Sequence, residues 1–175
     1  MQIDRIGYGQ VEVNHMSAQA TGQIYAQLPA ADVFGGQLEN GQFVKYDYAA
    51  NEVNLTGKGE WMMVYCEEKL YDPRFQAHKD FVYREEDFTD KKMYPRLFRV
   101  ENGDIFTTNT FTAKATSNTG TTTGIDLNLG DEVTVDPATG FLVAGNGGTD
   151  RPTFQVGKVY TMPDGQPGVK LQKIS

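Results

Sequence analysis

The chain has 175 residues, of which 39% are hydrophobic and 19 are glycines, and its formal net charge is −7 at pH 7. This length is enough for one domain with a hydrophobic core, and the acidic balance argues against general binding to nucleic acid, which needs clustered Lys and Arg side chains. No apolar run approaches the ~20 residues of a membrane-spanning helix, and the polar first ten residues lack the pattern of a signal peptide.

The first 37 residues carry few charges and show only weak strand signals, at residues 11–13 and 24–28. Such a segment has too little apolar surface to form a core of its own. We therefore expect either an extended N-terminal arm over residues 1–37 or strands at the edge of the main domain. Three aromatic residues of this segment have few neighbours to be buried against, and we expect them to contact a partner: Tyr8, Tyr25 and Phe34.

A fifteen-residue phrase occurs twice in the rest of the chain, as GQFVKYDYAANEVNL from Gly41 and as GDEVTVDPATGFLVA from Gly130. Both copies have Val three residues after the glycine and Asp six residues after it, and a turn residue stands at the eleventh position (Asn51, Gly140). Apolar alternation on both sides of small polar residues predicts a strand, a tight turn and a returning strand. The Asp side chain is typical of turns because it can accept a hydrogen bond from the backbone two residues on.

Between the two copies, residues 60–66 are apolar enough for a central strand. The block 67–104 then holds eighteen of the thirty-nine charged residues. We expect a charged excursion over about residues 67–94, with a short helix in it if Phe75, Phe81 and Phe88 share one face.

The remaining elements are all predicted as strands and loops. Residues 94–100 and 105–108 alternate around Asn102-Gly103, which is a strong hairpin signal. Residues 107–124 are almost all Thr, Asn, Ser, Ala and Gly, and this composition predicts an exposed loop or a long hairpin tip at the centre of the segment. The last strand, at residues 169–174, is expected to close a barrel.

These elements predict an all-β fold, a single β-barrel or sandwich built of hairpins, with the β-barrel domain over residues 38–175. Large aromatic side chains on the strands are expected in its core because they carry the most apolar area to bury. These are Trp61, Tyr65, Phe98 and Phe106.

The sequence offers no arrangement typical of catalysis or of metal binding. Its histidines, His15 and His78, and its one cysteine, Cys66, lack the spacing of a zinc site, and the pattern gives a Cys66–His78 dyad no support. Adjacent acids such as those at 85–87 are typical of a solvated surface, whereas a hydrolase pair is defined by its separation across a cleft. We therefore expect no enzyme activity, no cofactor and no catalytic, cofactor-binding or metal-binding residues.

The phrase G-x-x-V-x-x-D-x-A-T-G-x-L resembles the hairpin repeated in head decoration (cement) proteins of tailed bacteriophages. The clearest copy covers residues 130–143, and the copy at Gly41 has Asn51 in place of the second glycine. Residues 95–109 and 160–170 are also similar to segments of phage virion structural proteins.

The resemblance implies a non-enzymatic β-barrel protein that stabilises the outer surface of a phage capsid by bridging major capsid subunits, after synthesis in the host cytoplasm. The implied partners are the major capsid protein and neighbouring copies of the chain itself, with no nucleic acid and no membrane. An acidic surface, which packaged DNA repels, is consistent with this outer location. Two other classes stay open: a tail, fibre, baseplate or host-surface binding module that uses residues 107–124 and the tyrosines, and an acidic carbohydrate hydrolase.

Overall fold

The computed structural model describes residues 2–3, 8–22, 24–65, 82–111, 114–115, 122–123, 125–162 and 165–175. The strands, in chain order, are β1 (Gln2–Ile3), β2 (Val11–His15), β3 (Ile24–Tyr25), β4 (Gln37–Glu39), β5 (Phe43–Asp47), β6 (Glu52–Asn54), β7 (Trp61–Val64), β8 (Val82–Arg84), β9 (Leu97–Arg99), β10 (Ile105–Thr108), β11 (Lys114–Ala115), β12 (Thr122–Thr123), β13 (Ile125–Asp126), β14 (Glu132–Val135), β15 (Leu142–Ala144), β16 (Thr153–Thr161) and β17 (Pro167–Lys173). The helical elements are short: α1 (Ser17–Thr21) and the 3-10 helices Asp32–Phe34 and Glu85–Asp87. The expected all-β fold is confirmed.

Two antiparallel sheets make the body of the fold. The six-stranded sheet has the order β15-β14-β16-β17-β10-β2, and the five-stranded sheet has the order β3-β9-β7-β5-β6. In the part of the chain that the structure describes, neither sheet closes on itself, so of the two expected alternatives, barrel and sandwich, the sandwich-like arrangement holds. The last strand, β17, lies inside the six-stranded sheet between β16 and β10, where it has a partner on each side and closes nothing.

The main core lies between these two sheets. Phe43 on β5 meets Phe106 on β10 and Phe154 on β16 at ring-centroid distances of 6.2 and 5.4 Å. Along the five-stranded sheet, every second side chain lies on the face opposite the main core. Val44 and Met62 lie on that face, in a second apolar cluster. Because both faces of this sheet are covered, its central strand β7 is apolar at every position.

The expected core residues are confirmed. Trp61, Phe98 and Phe106 are buried in the main core, and Tyr65 packs against the same cluster with its ring 5.0 Å from that of Phe98. Residues 61–64 form the middle strand of their sheet, as the apolar run predicted.

Both copies of the repeated phrase fold as the predicted hairpin, one in each sheet. β5 pairs with β6 and β14 pairs with β15. In each turn the aspartate accepts a hydrogen bond from the backbone two residues on: Ala49 N–H donates to Asp47 over 2.9 Å, and Ala138 N–H donates to Asp136 over 3.0 Å. The eleventh position has a left-handed backbone in both copies, at φ 57° for Asn51 and 77° for Gly140.

The hairpin expected around Asn102-Gly103 is wrong. The turn itself is present, with Asp104 N–H donating to the Glu101 carbonyl over 3.0 Å, but β9 and β10 belong to different sheets. The buried Asp104 carboxylate fixes the corner by accepting hydrogen bonds from Glu101 N–H at 2.8 Å and from Ser17 N–H at 2.9 Å. The chain therefore crosses from one layer of the sandwich to the other at this point.

The first residues of the polar segment 107–124 lie in the core. The side chains from Thr107 to Thr110 are fully buried. Their burial is possible because backbone carbonyls accept their hydroxyls: Thr108 donates to the Gln10 carbonyl over 2.6 Å, and Thr110 donates to the Asn40 carbonyl over 2.8 Å. Residues 116–121, the centre of the expected loop, lie outside the described residues.

The described part of the first 37 residues contributes strands to both sheets. For these residues the prediction of an extended arm is wrong, and the alternative of strands at the edge of the main domain holds. β2 is an edge strand of the six-stranded sheet and β3 an edge strand of the five-stranded sheet. The segment stays there because Val11 and Val13 pack on the main core and Met16 is buried in it. The apolar surface that this segment lacks by itself is supplied by the two sheets.

Most of the expected charged excursion, residues 67–81 with Phe75 and Phe81, lies outside the described residues. Its described end is strand β8, which pairs with β4, followed by the 3-10 helix Glu85–Asp87. These two elements cover the second apolar cluster, where Tyr83 and Phe88 stack with ring centroids 6.3 Å apart.

Candidate interaction surface

Three tyrosines form a row at the end of the first hairpin, and we call Tyr25, Tyr46 and Tyr48 the tyrosine row. The Tyr25 and Tyr46 rings lie 5.4 Å apart between centroids, and Tyr46 meets Tyr48 edge-on at 5.0 Å and 76°. Such tilted contacts are the favoured geometry for aromatic pairs. Tyr46, in the middle of the row, is buried, whereas Tyr25 is half-buried and Tyr48 is 73% exposed.

The local sequence explains why Tyr48 is exposed. Asp47 accepts hydrogen bonds from the backbone N–H groups of Ala49 and Ala50, and these bonds turn the chain away from the sheet just after β5. They also lower the pKa of Asp47 below its ordinary value, with the Ala50 N–H as the largest cause. The side chain that follows the aspartate therefore lies at the tip of the hairpin, in water.

Burial raises the pKa of Tyr46 above its ordinary value, and the neighbouring Tyr48 adds to the rise. The Tyr46 hydroxyl is therefore neutral over the whole physiological range. The row is an aromatic surface with hydroxyl groups, a composition that is enriched at protein–protein interfaces.

An ion-pair cluster stands next to the row. Arg99 Nε lies 2.9 Å from a Glu60 carboxylate oxygen and 3.0 Å from a Glu101 carboxylate oxygen. The two carboxylates, Glu60 first, raise the pKa of Arg99, and Tyr25 is close enough to contribute to this rise. Arginine and tyrosine side chains together are the composition of many protein–protein interface centres.

Tyr8 lies in a separate place, beside a cleft of about 440 Å³ that we call the Tyr8 cleft. Arg84 donates a hydrogen bond to the Tyr8 hydroxyl over 3.0 Å, and its guanidinium lies 5.4 Å from the ring centroid. This hydrogen bond is the largest cause of a lowered pKa for Tyr8. The cleft is lined by the turn after the first 3-10 helix, the start of β4, the end of β8, the second 3-10 helix and the turn that follows it. The lining residues are Gly35, Gly36, Gln37, Arg84, Glu85, Glu86 and Lys91.

Phe34 lies at the end of the 3-10 helix Asp32–Phe34 and packs against both apolar clusters. The three residues expected to contact a partner are therefore not gathered at one place. Tyr25 lies in the tyrosine row, Tyr8 is held by Arg84, and Phe34 is partly covered by the chain itself. Whether any of them contacts a partner stays a prediction.

Sequence reasoning missed Tyr48 and Arg84. Tyr48 had a usable signal, because the position after the turn aspartate of a hairpin is normally in water, so a large aromatic side chain there is exposed. Arg84 had none, because its partner Tyr8 lies far from it in the sequence.

No group of three or more His, Cys, Asp or Glu side chains in the described part of the chain is arranged to hold a metal ion. Within the same residues, no helix has the length and apolar character to cross a membrane. Comparison with protein-family models, with curated proteins and with solved structures finds no match to this chain.

Proposed function

We propose that this chain is a non-enzymatic decoration protein that binds the outer surface of a phage capsid and stabilises it by bridging major capsid subunits. The observation that carries the proposal is the tyrosine row, which places an exposed aromatic side chain at the tip of a hairpin whose sheet is covered on both faces. A surface on so rigid a support binds with little loss of conformational freedom.

The repeated phrase supports the same proposal. It is the part of the sequence that resembles capsid decoration proteins, and its two copies fold as matching hairpins with the same turn bonds. The net charge of −7 keeps the chain away from packaged DNA and suits the outside of a capsid. Many equivalent sites on a symmetric shell make modest contacts sufficient, because binding at each site stabilises the shell by its own free energy.

The test is a binding experiment with capsids stripped of the chain. Purified protein is mixed with these shells, the shells are sedimented, and bound protein and shell melting temperature are measured. We expect saturable binding and a raised melting temperature; failure to bind stripped shells while the chain is found on tails of the same virion would reject decoration in favour of a tail or fibre module.

A further inference from the structure

Asparagine is followed by glycine at three places in this chain: Asn40-Gly41, Asn102-Gly103 and Asn146-Gly147. In such a pair the glycine nitrogen can attack the side-chain amide of the asparagine, because glycine has no Cβ to hinder the approach. The ring that forms is a succinimide, and its formation makes two demands on the structure. The glycine N–H has to leave its hydrogen bond, and the asparagine side chain needs open space to reach the glycine nitrogen.

The pair at Asn40 is protected against both steps. Asn40 is only 4% exposed, and Gly41 N–H donates to the Val64 carbonyl over 2.8 Å. A methyl group built on Gly41 would lie 2.5 Å from the Thr110 hydroxyl, so no space is open beside the glycine. Reaction at this pair therefore requires the core around it to open, which is among the most costly openings of a fold.

The pair at Asn146 is at the surface, but hydrogen bonds hold both ends of the side-chain amide. Asn146 Nδ2 donates to a Glu132 carboxylate oxygen over 2.8 Å, and its Oδ1 accepts from Gly148 N–H over 2.8 Å. Gly147 is buried, and its N–H donates to the Thr153 hydroxyl over 3.0 Å. A methyl group built on Gly147 would clash with the backbone of the same loop, so the space beside this glycine is closed as well.

The pair at Asn102 has fewer restraints. Asn102 and Gly103 are both exposed, at the turn where the chain crosses between the two sheets. Within the part of the chain that the structure describes, the Asn102 side-chain amide makes no hydrogen bond, and nothing lies within 4 Å of a methyl group built on Gly103. Gly103 N–H donates to the Lys173 carbonyl over 2.9 Å, and at an exposed turn water can take the place of this bond when it opens.

We propose that Asn102 is a site of spontaneous deamidation and is the first of these pairs to react in the folded protein. The Gly103 nitrogen forms a bond to Asn102 Cγ, the bond from Cγ to the side-chain nitrogen breaks, and that nitrogen leaves as ammonia with the proton of the Gly103 N–H. Water then opens the succinimide at one of its two carbonyl groups, which leaves aspartate or isoaspartate at this position. Water is the only other reactant.

The modification falls on the corner that joins the two layers of the sandwich. Both products add a negative charge between Glu101 and the buried Asp104. Isoaspartate also lengthens the main chain by one methylene group, inside the turn that Asp104 N–H closes on the Glu101 carbonyl. The site is independent of the proposed attachment to capsids.

The test compares the folded chain with the same chain unfolded in guanidinium chloride. Both are incubated in mildly alkaline buffer, and peptide mapping by mass spectrometry follows deamidation at each pair. In the unfolded chain we expect similar rates at all three pairs. In the folded chain we expect Asn102 to react at least about tenfold faster than Asn146, where two more hydrogen bonds have to open, and Asn40 to stay intact. A rate at Asn102 that does not exceed those at Asn146 and Asn40 in the folded chain overturns the proposal.

Two variants test the cause of this ranking. Thr153→Val keeps the shape of the side chain but removes the hydroxyl that accepts from Gly147 N–H, so deamidation at Asn146 should become about fivefold faster, as expected for one lost hydrogen bond. The rate at Asn102 should not change. Thr139→Val, which removes a hydroxyl from the turn of the second hairpin, is the matched control and should change neither rate. An unchanged rate at Asn146 in Thr153→Val, or an equal rise at Asn102, would overturn the protection argued from the hydrogen bonds.

Discussion

The two copies of the repeated phrase share one backbone but have different surroundings. Gly41 and Gly130 open them with nearly the same left-handed φ, 82° and 89°. A side chain at Gly41 would meet the Thr110 hydroxyl at 2.5 Å, whereas nothing lies within 4 Å at Gly130. The local sequence therefore sets the shape of each hairpin, and the rest of the fold decides which positions of it tolerate change.

The same contrast holds at the turns, where the second hairpin docks on the first. Phe43 N–H donates to the Gly140 carbonyl over 2.7 Å, and the Gln42 amide donates to the Thr139 carbonyl over 2.8 Å. The turn of the first hairpin, with Tyr48 at its tip, is in water. One turn thus joins the two layers of the sandwich, and the other is available to a partner.

The largest effect is expected at the eleventh position of the second copy. In Gly140→Ala the new methyl group would lie 2.1 Å from the Phe43 carbonyl oxygen, so backbone has to move. We expect a loss of about 3 to 5 kcal/mol in the free energy of unfolding, measured by urea denaturation. Asn51→Ala, the equivalent change in the first copy, should cost about 1 kcal/mol, because only the left-handed backbone disfavours alanine there; equal losses would show that the docking of the turns is wrong.

The first position of the phrase should show the opposite asymmetry. Gly41→Ala meets the buried hydroxyls of Thr110 and Thr108, so we expect a loss of about 2 to 4 kcal/mol. Gly130→Ala meets open space and should lose about 1 kcal/mol through its backbone alone. Thermal unfolding of the two variants side by side checks this, and a larger loss at Gly130 would contradict the packing around Gly41.

A change at the hairpin tip should affect binding and leave stability nearly unchanged. Tyr48→Ser removes the exposed end of the tyrosine row, and we expect binding to stripped capsids to weaken about tenfold or more, as for an aromatic residue at an interface centre. Leu129→Ser is the matched control, because Leu129 is also 73% exposed and lies just before the second copy. Sedimentation with the shells measures both; an equal effect of the two changes would remove the tyrosine row from the interface.

The smallest effect is a pH dependence at the first turn. Because the backbone N–H groups stabilise the charged form, the folded pKa of Asp47 lies below its unfolded value. The contribution of Asp47 to stability is therefore complete above the ordinary carboxyl pKa, about pH 4. It is lost as the pH falls through the lowered pKa of the folded state. An NMR titration of the Asp47 carboxyl should give a midpoint below that of a free aspartate, and a midpoint above it would contradict the turn bonds.

The hairpins were predictable because their information is local: the turn aspartate, the left-handed residue and the alternating strands lie within fifteen residues. The crossing at Asn102-Gly103 was not, because a turn signal says that the chain reverses and not which sheet it enters next. That choice depends on Phe98 and Phe106, which pack in the same core from different layers.

The burial of Thr107–Thr110 and the formation of the tyrosine row also depend on contacts between residues far apart in the chain. A run of threonines gives no sign of burial until the hydrogen-bond acceptors of its hydroxyl groups are known. Here these acceptors are the backbone carbonyls of Gln10 and Asn40. The segment around Tyr25 is poor in apolar residues, which predicts a contact with a partner, but its contact with Tyr46 joins strands β3 and β5, which are not neighbours in the sheet, and no local pattern shows it.

We propose that the tip of the first hairpin contacts a capsid, and an image reconstruction of stripped shells to which the purified chain has been added would show where the chain attaches. We expect density for the chain on the outer surface, with the tyrosine row in contact with major capsid subunits. Density that shows Tyr48 facing solvent while another surface holds the shell, or no density on the shell at all, would reject this contact.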